Sequence, residues 1–131
     1  MAFIKFKELA YVRFFKNLGV NELPKFVFDY IEADENIWCA YSSMRKKCLL
    51  TDNKIIIFVQ KGIFGKTKKI DYFPYANISS SAIEYKSFST TLLFSMDSGY
   101  QLSIMISTPS PQDKTNLKEV YAKLMEKVGK Q

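Results

Sequence analysis

Apolar positions along this chain change their spacing twice, and the two changes divide it into three parts. Over residues 3–18, Phe3, Phe6, Leu9, Ala10 and Phe14 recur at helical intervals, with Lys5, Lys7, Glu8 and Arg13 mostly between them. That spacing predicts an amphipathic helix. Gly19 follows Leu18 and is a natural C-terminal stop. Asn21 can cap a second, shorter helix with Pro24 in its first turn, where a missing amide hydrogen costs little. Phe26, Val27, Tyr30 and Ile31 give that helix an apolar side, and the polar residues 32–36 read as the joint to the next part.

From Ile37 to Thr108 the pattern shortens to β runs rich in Ile, Phe, Tyr, Val and Thr. The predicted strands are residues 37–43, 46–51, 54–61, 66–73, 80–87, 91–96 and 101–107. Thr51-Asp52-Asn53-Lys54 reads as a tight hairpin, because Asp and Asn tolerate turn conformations. Gly62 and Gly65 bracket a second turn, and Asp97-Ser98-Gly99 makes a third. Turns this short imply antiparallel neighbours. Residues 55–59 are apolar at every position, so both faces of that strand require cover. The N-terminal helices or a partner subunit are the candidates for the outer face.

After Thr108 the helical period returns. Ser110 can cap, Pro111 suits the first position, and Asp113 complements the positive end of the helix. Leu117, Val120, Tyr121, Leu124 and Val128 form one stripe, with Lys114, Lys118, Lys123 and Lys127 largely off it.

Composition narrows the chemistry. With 131 residues the chain is most simply one folded body, and its 8 Tyr and 11 Phe supply a large core. The formal net charge of +6 favours anionic partners, and it equally serves solubility. Histidine is absent, which excludes the Ser-His-Asp and Cys-His arrangements and histidine metal ligation. The 2 cysteines, Cys39 and Cys48, cannot make a zinc site by themselves. They read as reduced, buried side chains in a cytoplasmic protein, with a cross-strand disulfide as the alternative. No apolar run approaches the roughly 20 residues of a membrane span, and the charged N-terminus is unlike a signal peptide.

Seven short antiparallel strands followed by one amphipathic helix resemble a pleckstrin-homology-like domain. Leu49-Leu50-Thr51-Asp52-Asn53-Lys54-Ile55-Ile56-Ile57 resembles the leucine-leucine-threonine-aspartate-x-arginine-isoleucine segment of bacterial pleckstrin-homology-like domains. Ile70-Asp71-Tyr72-Phe73-Pro74-Tyr75-Ala76-Asn77-Ile78 resembles their isoleucine-proline-tyrosine-x-x-isoleucine segment. The likeness runs over residues 35–129, with Lys54 where the family carries arginine. It implies an α+β fold: a seven-stranded antiparallel barrel or sandwich (residues 35–131) with a C-terminal capping helix. Two N-terminal helices (residues 1–34) would be an extension beyond the minimal domain.

Two surfaces stand out as sites. Lys61, Lys66, Lys68 and Lys69 surround Ile63 and Phe64 at one hairpin, and Arg45, Lys46 and Lys47 lie in the loop that the resemblance matches to a lipid-binding loop of eukaryotic pleckstrin-homology domains. Basic residues around an apolar tip suit an anionic membrane surface; a solvated hairpin whose tip folds back is the competing reading. Phe14, Phe15, Val27 and Phe28 fall outside one clean stripe, so the N-terminal helices read as apolar on more than one side, either deeply buried or, together with Phe6, a surface shared with a partner. Nucleic acid is disfavoured, because the aromatic signature of an RNA-binding sheet is missing and Tyr72, Phe73, Tyr75 and Phe94 read as core. No pair of acids is placed for acid–base work, and Gly62-Ile63-Phe64-Gly65-Lys66 is too short for a P-loop. The expectation is a non-catalytic adaptor or assembly module that binds a protein partner or itself, with no cofactor or metal. Peripheral binding to anionic membranes is the alternative.

Overall fold

A computed structural model of the chain describes residues 9–14, 16–62 and 67–129. Among the described residues, nine strands form two sheets: β1 (Leu9–Phe14), β2 (Lys16–Leu18), β3 (Ile37–Ser42), β4 (Lys46–Thr51), β5 (Lys54–Lys61), β6 (Thr67–Pro74), β7 (Ile78–Tyr85), β8 (Ser89–Met96) and β9 (Gln101–Ser107). The helix α1 (Pro111–Lys127) follows. One sheet has the order β2-β3-β4-β5-β6, the other β1-β9-β8-β7. The strands from β3 to β6 and from β7 to β9 pair antiparallel as the turns predict, and the run breaks between β6 and β7, where the chain crosses from one sheet to the other.

The first predicted helix is corrected. Its described part, residues 9–14 and 16–18, is extended: β1 pairs with β9 in parallel, and β2 pairs with β3. Ala10, Val12 and Phe14 lie in register with Leu102, Ile104 and Ile106. Ala10 and Phe14 therefore fit a period of two, with Val12 between them, as well as a helical one, and pairing onto an existing sheet decides between the two. The second predicted helix is a 3₁₀ turn at Val20–Glu22 and a six-residue 3₁₀ helix at Lys25–Tyr30, which Pro24 precedes as N-cap. Phe6, Phe15, Ile63, Phe64, Gly65 and Lys66 lie outside the described residues.

Register explains why residues 55–59 of β5 are apolar at every position. Leu50, Ile55 and Phe73 stand opposite one another across three strands and are buried in the core between the sheets. One position along, Leu49 and Ile56 face the other way and are 0 % exposed. Their cover is the 3₁₀ helix: Val27 is fully buried there, with Leu23, Ala40 and Phe58, and Phe26, Tyr30 and Ile31 close the rim. Phe26 and Tyr30 both meet the Phe58 ring edge-on at 5.8 Å, a favoured aromatic geometry.

α1 closes the inner core with Leu117 and Leu124, both buried, and with Val120, Tyr121 and Val128 at its margin. Its start is a capping box: the Ser110 hydroxyl accepts the Asp113 amide hydrogen, and the Asp113 carboxylate accepts that of Ser110. The Tyr121 and Ser81 hydroxyls, 2.6 Å apart, tie the helix to β7.

Candidate functional site

The two segments that carry the family likeness meet at one end of the molecule. Asp52 accepts the backbone N–H of Asn36 at 3.3 Å and its side-chain amide at 3.2 Å. The Thr51 hydroxyl accepts the amide hydrogens of Asn53 and Lys54, each at 3.1 Å, and donates to the Glu35 carboxylate. Glu35 also accepts the Glu32 amide and an ion pair from Lys54 at 3.1 Å. The Glu35 side chain is 0 % exposed, so this charge depends on its partners. Lys54 answers for the family's arginine here, and its ammonium also stands 5.4 Å from the Tyr72 ring centre. From the second segment, the Tyr75 hydroxyl donates to the Thr51 carbonyl at 2.7 Å, and the Tyr75 amide donates to the Asn53 carbonyl at 3.0 Å. Burial pushes the Tyr75 hydroxyl well above its ordinary pKa and keeps it a donor. These bonds tie the residues into a joint centred on Thr51 and Glu35.

Beside that joint lies an open cleft of about 430 Å³, lined by Phe28, Ile31, Glu32, Ala33, Glu35, Asn36 and Ile37. Val27 and Phe28 are adjacent but opposite in fate. Val27 is sealed under the 3₁₀ helix, and Phe28 is 44 % exposed at the cleft. Tyr72 is also 44 % exposed, 6.4 Å from the Tyr30 ring. This corrects its reading as core, while Phe73, Tyr75 and Phe94 are buried as expected. Tyr72 was misread because β6 is the outermost strand of its sheet, so the cover over Ile56 runs out beside it. Burial outweighs the nearby Lys54 charge in raising the Tyr72 hydroxyl pKa.

The basic residues gather at the opposite ends of the same strands. The register sets Lys46 opposite Val59 and Val59 opposite Lys69, with Lys47 opposite Phe58 and Lys61 opposite Thr67. Arg45 donates to the Gly62 carbonyl at 2.6 Å and holds the two hairpins together. Lys46 and Lys69 face the inner side of the sheet, whereas Lys47 and Lys68 face the outer side. Two of the lysines are engaged as well: Lys68 sits 3.9 Å from the Phe26 ring centre, and Lys69 pairs with Asp71 at 3.5 Å. Met44, 96 % exposed beside Arg45, is an apolar tip that the sequence reading left out of the patch.

Cys39 and Cys48 are both free thiols. Burial raises Cys39 to about 12 and Cys48 well above the usual thiol range, the opposite of an activated nucleophile. Among the described residues, no group of His, Cys, Asp and Glu could hold a metal ion, and no helix is long and apolar enough to cross a membrane.

Comparison with known proteins agrees with this frame. The profile described as bacterial PH domain matches residues 11–128. No curated protein matches the sequence. Among solved structures, a protein with a pleckstrin-homology domain from Shewanella loihica is similar at a TM-score of 0.65 and 18 % identity, covering 82 % of this chain and 94 % of that one. A PH domain containing protein from Exiguobacterium sibiricum reaches 0.65 at 14 % identity, covering 88 % of this chain and 62 % of its own. The pleckstrin homology domain from Shewanella amazonensis reaches 0.55 at 16 % identity, covering 79 % and 86 %. At these identities the likeness is one of fold.

Proposed function

The chain belongs to the bacterial PH domain family, and from that premise we propose that it is a non-catalytic adaptor or assembly module of the cytoplasm that acts by protein–protein association. The observation that carries this reading is a pair of exposed aromatic side chains at the 3₁₀ helix: Phe28 at the cleft and Tyr72 beside Tyr30 are each 44 % exposed, although the helix packs well through Val27. Aromatic side chains left at a rim of this kind are the usual anchors of an interface. The polar groups of the adjoining Glu35–Thr51–Lys54 joint are spent on one another, which leaves them a structural role. The test is affinity capture from the native cell with wild type and Phe28→Ser. A partner held by wild type and lost with the variant supports the reading; equal capture by both removes Phe28 from it.

A second reading, peripheral binding to anionic membranes, is favoured by Met44 standing exposed among Arg45, Lys46 and Lys47, with Lys61, Lys68 and Lys69 at the same end of the sheet. Near an anionic bilayer each such lysine contributes roughly 1 kcal/mol. Sedimentation with acidic liposomes at low and physiological salt tests it, comparing wild type with a Lys46→Glu, Lys47→Glu, Lys61→Glu variant. Equal sedimentation of both proteins, or none by either, ends this reading.

A further inference from the structure

β6 and β7 are consecutive in the chain but not hydrogen-bonded to each other, and each is the outermost strand of its sheet. Their edges differ. β6 carries Lys68, Lys69 and Asp71 and ends at Pro74, the charges and proline that keep an open edge from pairing with other chains. β7 reads Ile-Ser-Ser-Ser-Ala-Ile-Glu-Tyr, with one charge, no proline and its single irregularity confined to its start, between Ile78 and Ser80.

The free hydrogen-bonding groups of β7 can be assigned. Lys86 N–H donates to the Ser89 carbonyl at 2.9 Å, and in an antiparallel ladder such pairs recur at every second residue. Glu84, Ala82 and Ser80, opposite Thr91, Leu93 and Ser95, therefore spend their backbone groups on β8. Ser81, Ile83 and Tyr85 direct theirs away from the sheet, and among the described residues no other strand receives them.

We propose that this edge pairs with the β7 of a second copy of the chain, antiparallel, about a two-fold axis at Ala82. The strand is self-complementary in that register. Ser81 falls opposite the partner copy's Ile83, and Ser80 opposite its Glu84, so small side chains meet large ones on both sides of the axis. Ser81 and Ile83 both present free backbone groups and can exchange them, as a hydrogen-bonded pair requires. The two Glu84 carboxylates stand four positions apart along the ladder, so the single charge of the edge meets no like charge. Closed two-fold symmetry follows, and the four-stranded sheet becomes one continuous sheet across two copies. The Phe28 surface lies on the other sheet, so this pairing stands or falls independently of the capture result above.

Ala82 is exposed and faces its own copy across the axis, which makes it the position to test in the full chain. Sedimentation of wild type at high concentration is expected to show twice the monomer mass. Ala82→Lys and Ala82→Glu are each expected to sediment as monomers and to melt at the temperature of wild type diluted until it is monomeric, and an equal mixture of the two is expected to recover the doubled mass. Ala82→Cys is expected to give a disulfide-linked dimer under mild oxidation, because facing residues of a non-hydrogen-bonded pair lie about 4.5 Å apart at Cα, within disulfide range. A monomeric wild type, a dimer that survives Ala82→Lys, or a mixture that stays monomeric overturns the inference.

Discussion

The Tyr75 hydroxyl donates to the backbone carbonyl of Thr51 at 2.7 Å, across 24 positions of sequence, and both residues are buried. This bond joins the β4–β5 hairpin to the turn that leads from one sheet into the other. The Tyr75 ring also stacks on Trp38 at 5.8 Å, and the Tyr75 carbonyl accepts the Gly129 amide just past α1. A single side chain and its backbone thus tie the hairpin, the sheet crossing and the end of the helix.

Tyr75→Phe keeps the ring and removes only the donor, leaving the Thr51 carbonyl buried without it. The expected loss is about 1–3 kcal/mol, read as a lower denaturation midpoint with an unchanged slope. A variant as stable as wild type would show that the bond contributes nothing net.

Lys54→Met leaves the Glu35 carboxylate, 0 % exposed, without its counter-charge. Loss of one partner of a buried pair costs roughly 3–5 kcal/mol, at the upper end only if Glu35 finds no other partner. Lys54→Arg, the residue of the family pattern, should stay close to wild type. Chemical denaturation of the two variants side by side separates charge from volume.

The thiols give a prediction in pH. Cys39 rises from 9.0 to about 12 on folding, so the folded state favours the protonated form. Stability from this group is intact below pH 9 and falls as pH rises from there towards 12. Cys48 pushes in the same direction. Both thiols should react slowly with a thiol reagent near neutral pH and rapidly once the protein is unfolded, and Cys39→Ala should flatten the alkaline loss of stability. Fast labelling of the native protein at pH 7 would contradict the burial.

Leu124 is fully buried under α1. Leu124→Ala should cost on the order of 2–5 kcal/mol, as for other core leucines. Thermal melting reads the loss, and a midpoint unchanged from wild type would mean that the helix does not close the core.

Much of this architecture is legible in the residues. From β3 to α1, turn residues sit where the ladder reverses, and Ser110, Pro111 and Asp113 mark the helix start within a residue. The N-terminal segment is not legible in the same way, because Leu9, Ala10 and Phe14 fit a helical period while Ala10, Val12 and Phe14 fit a period of two, and only the open edge of β9 selects the strand. The basic residues were identifiable, but not their division between faces, nor that Lys68 lies on Phe26 and Lys69 on Asp71. Such partners come from register and packing. Phe28 is legible as a candidate for association but its opposite fate to Val27 is not, and Tyr72 reads as core like Phe73, because composition does not tell which of two adjacent aromatic or apolar residues faces out.

The central claim is association through Phe28 at the cleft and Tyr72 beside the same 3₁₀ helix. Hydroxyl-radical footprinting of the full chain, free and bound to whatever partner it captures from its own cell, addresses that claim most directly. The account predicts that Phe28 and Tyr72 are labelled in the free protein and protected in the complex, with Met44 labelled equally in both. Unchanged labelling of Phe28 and Tyr72 together with protection of Met44 would contradict it and move the contact to the basic end of the sheet.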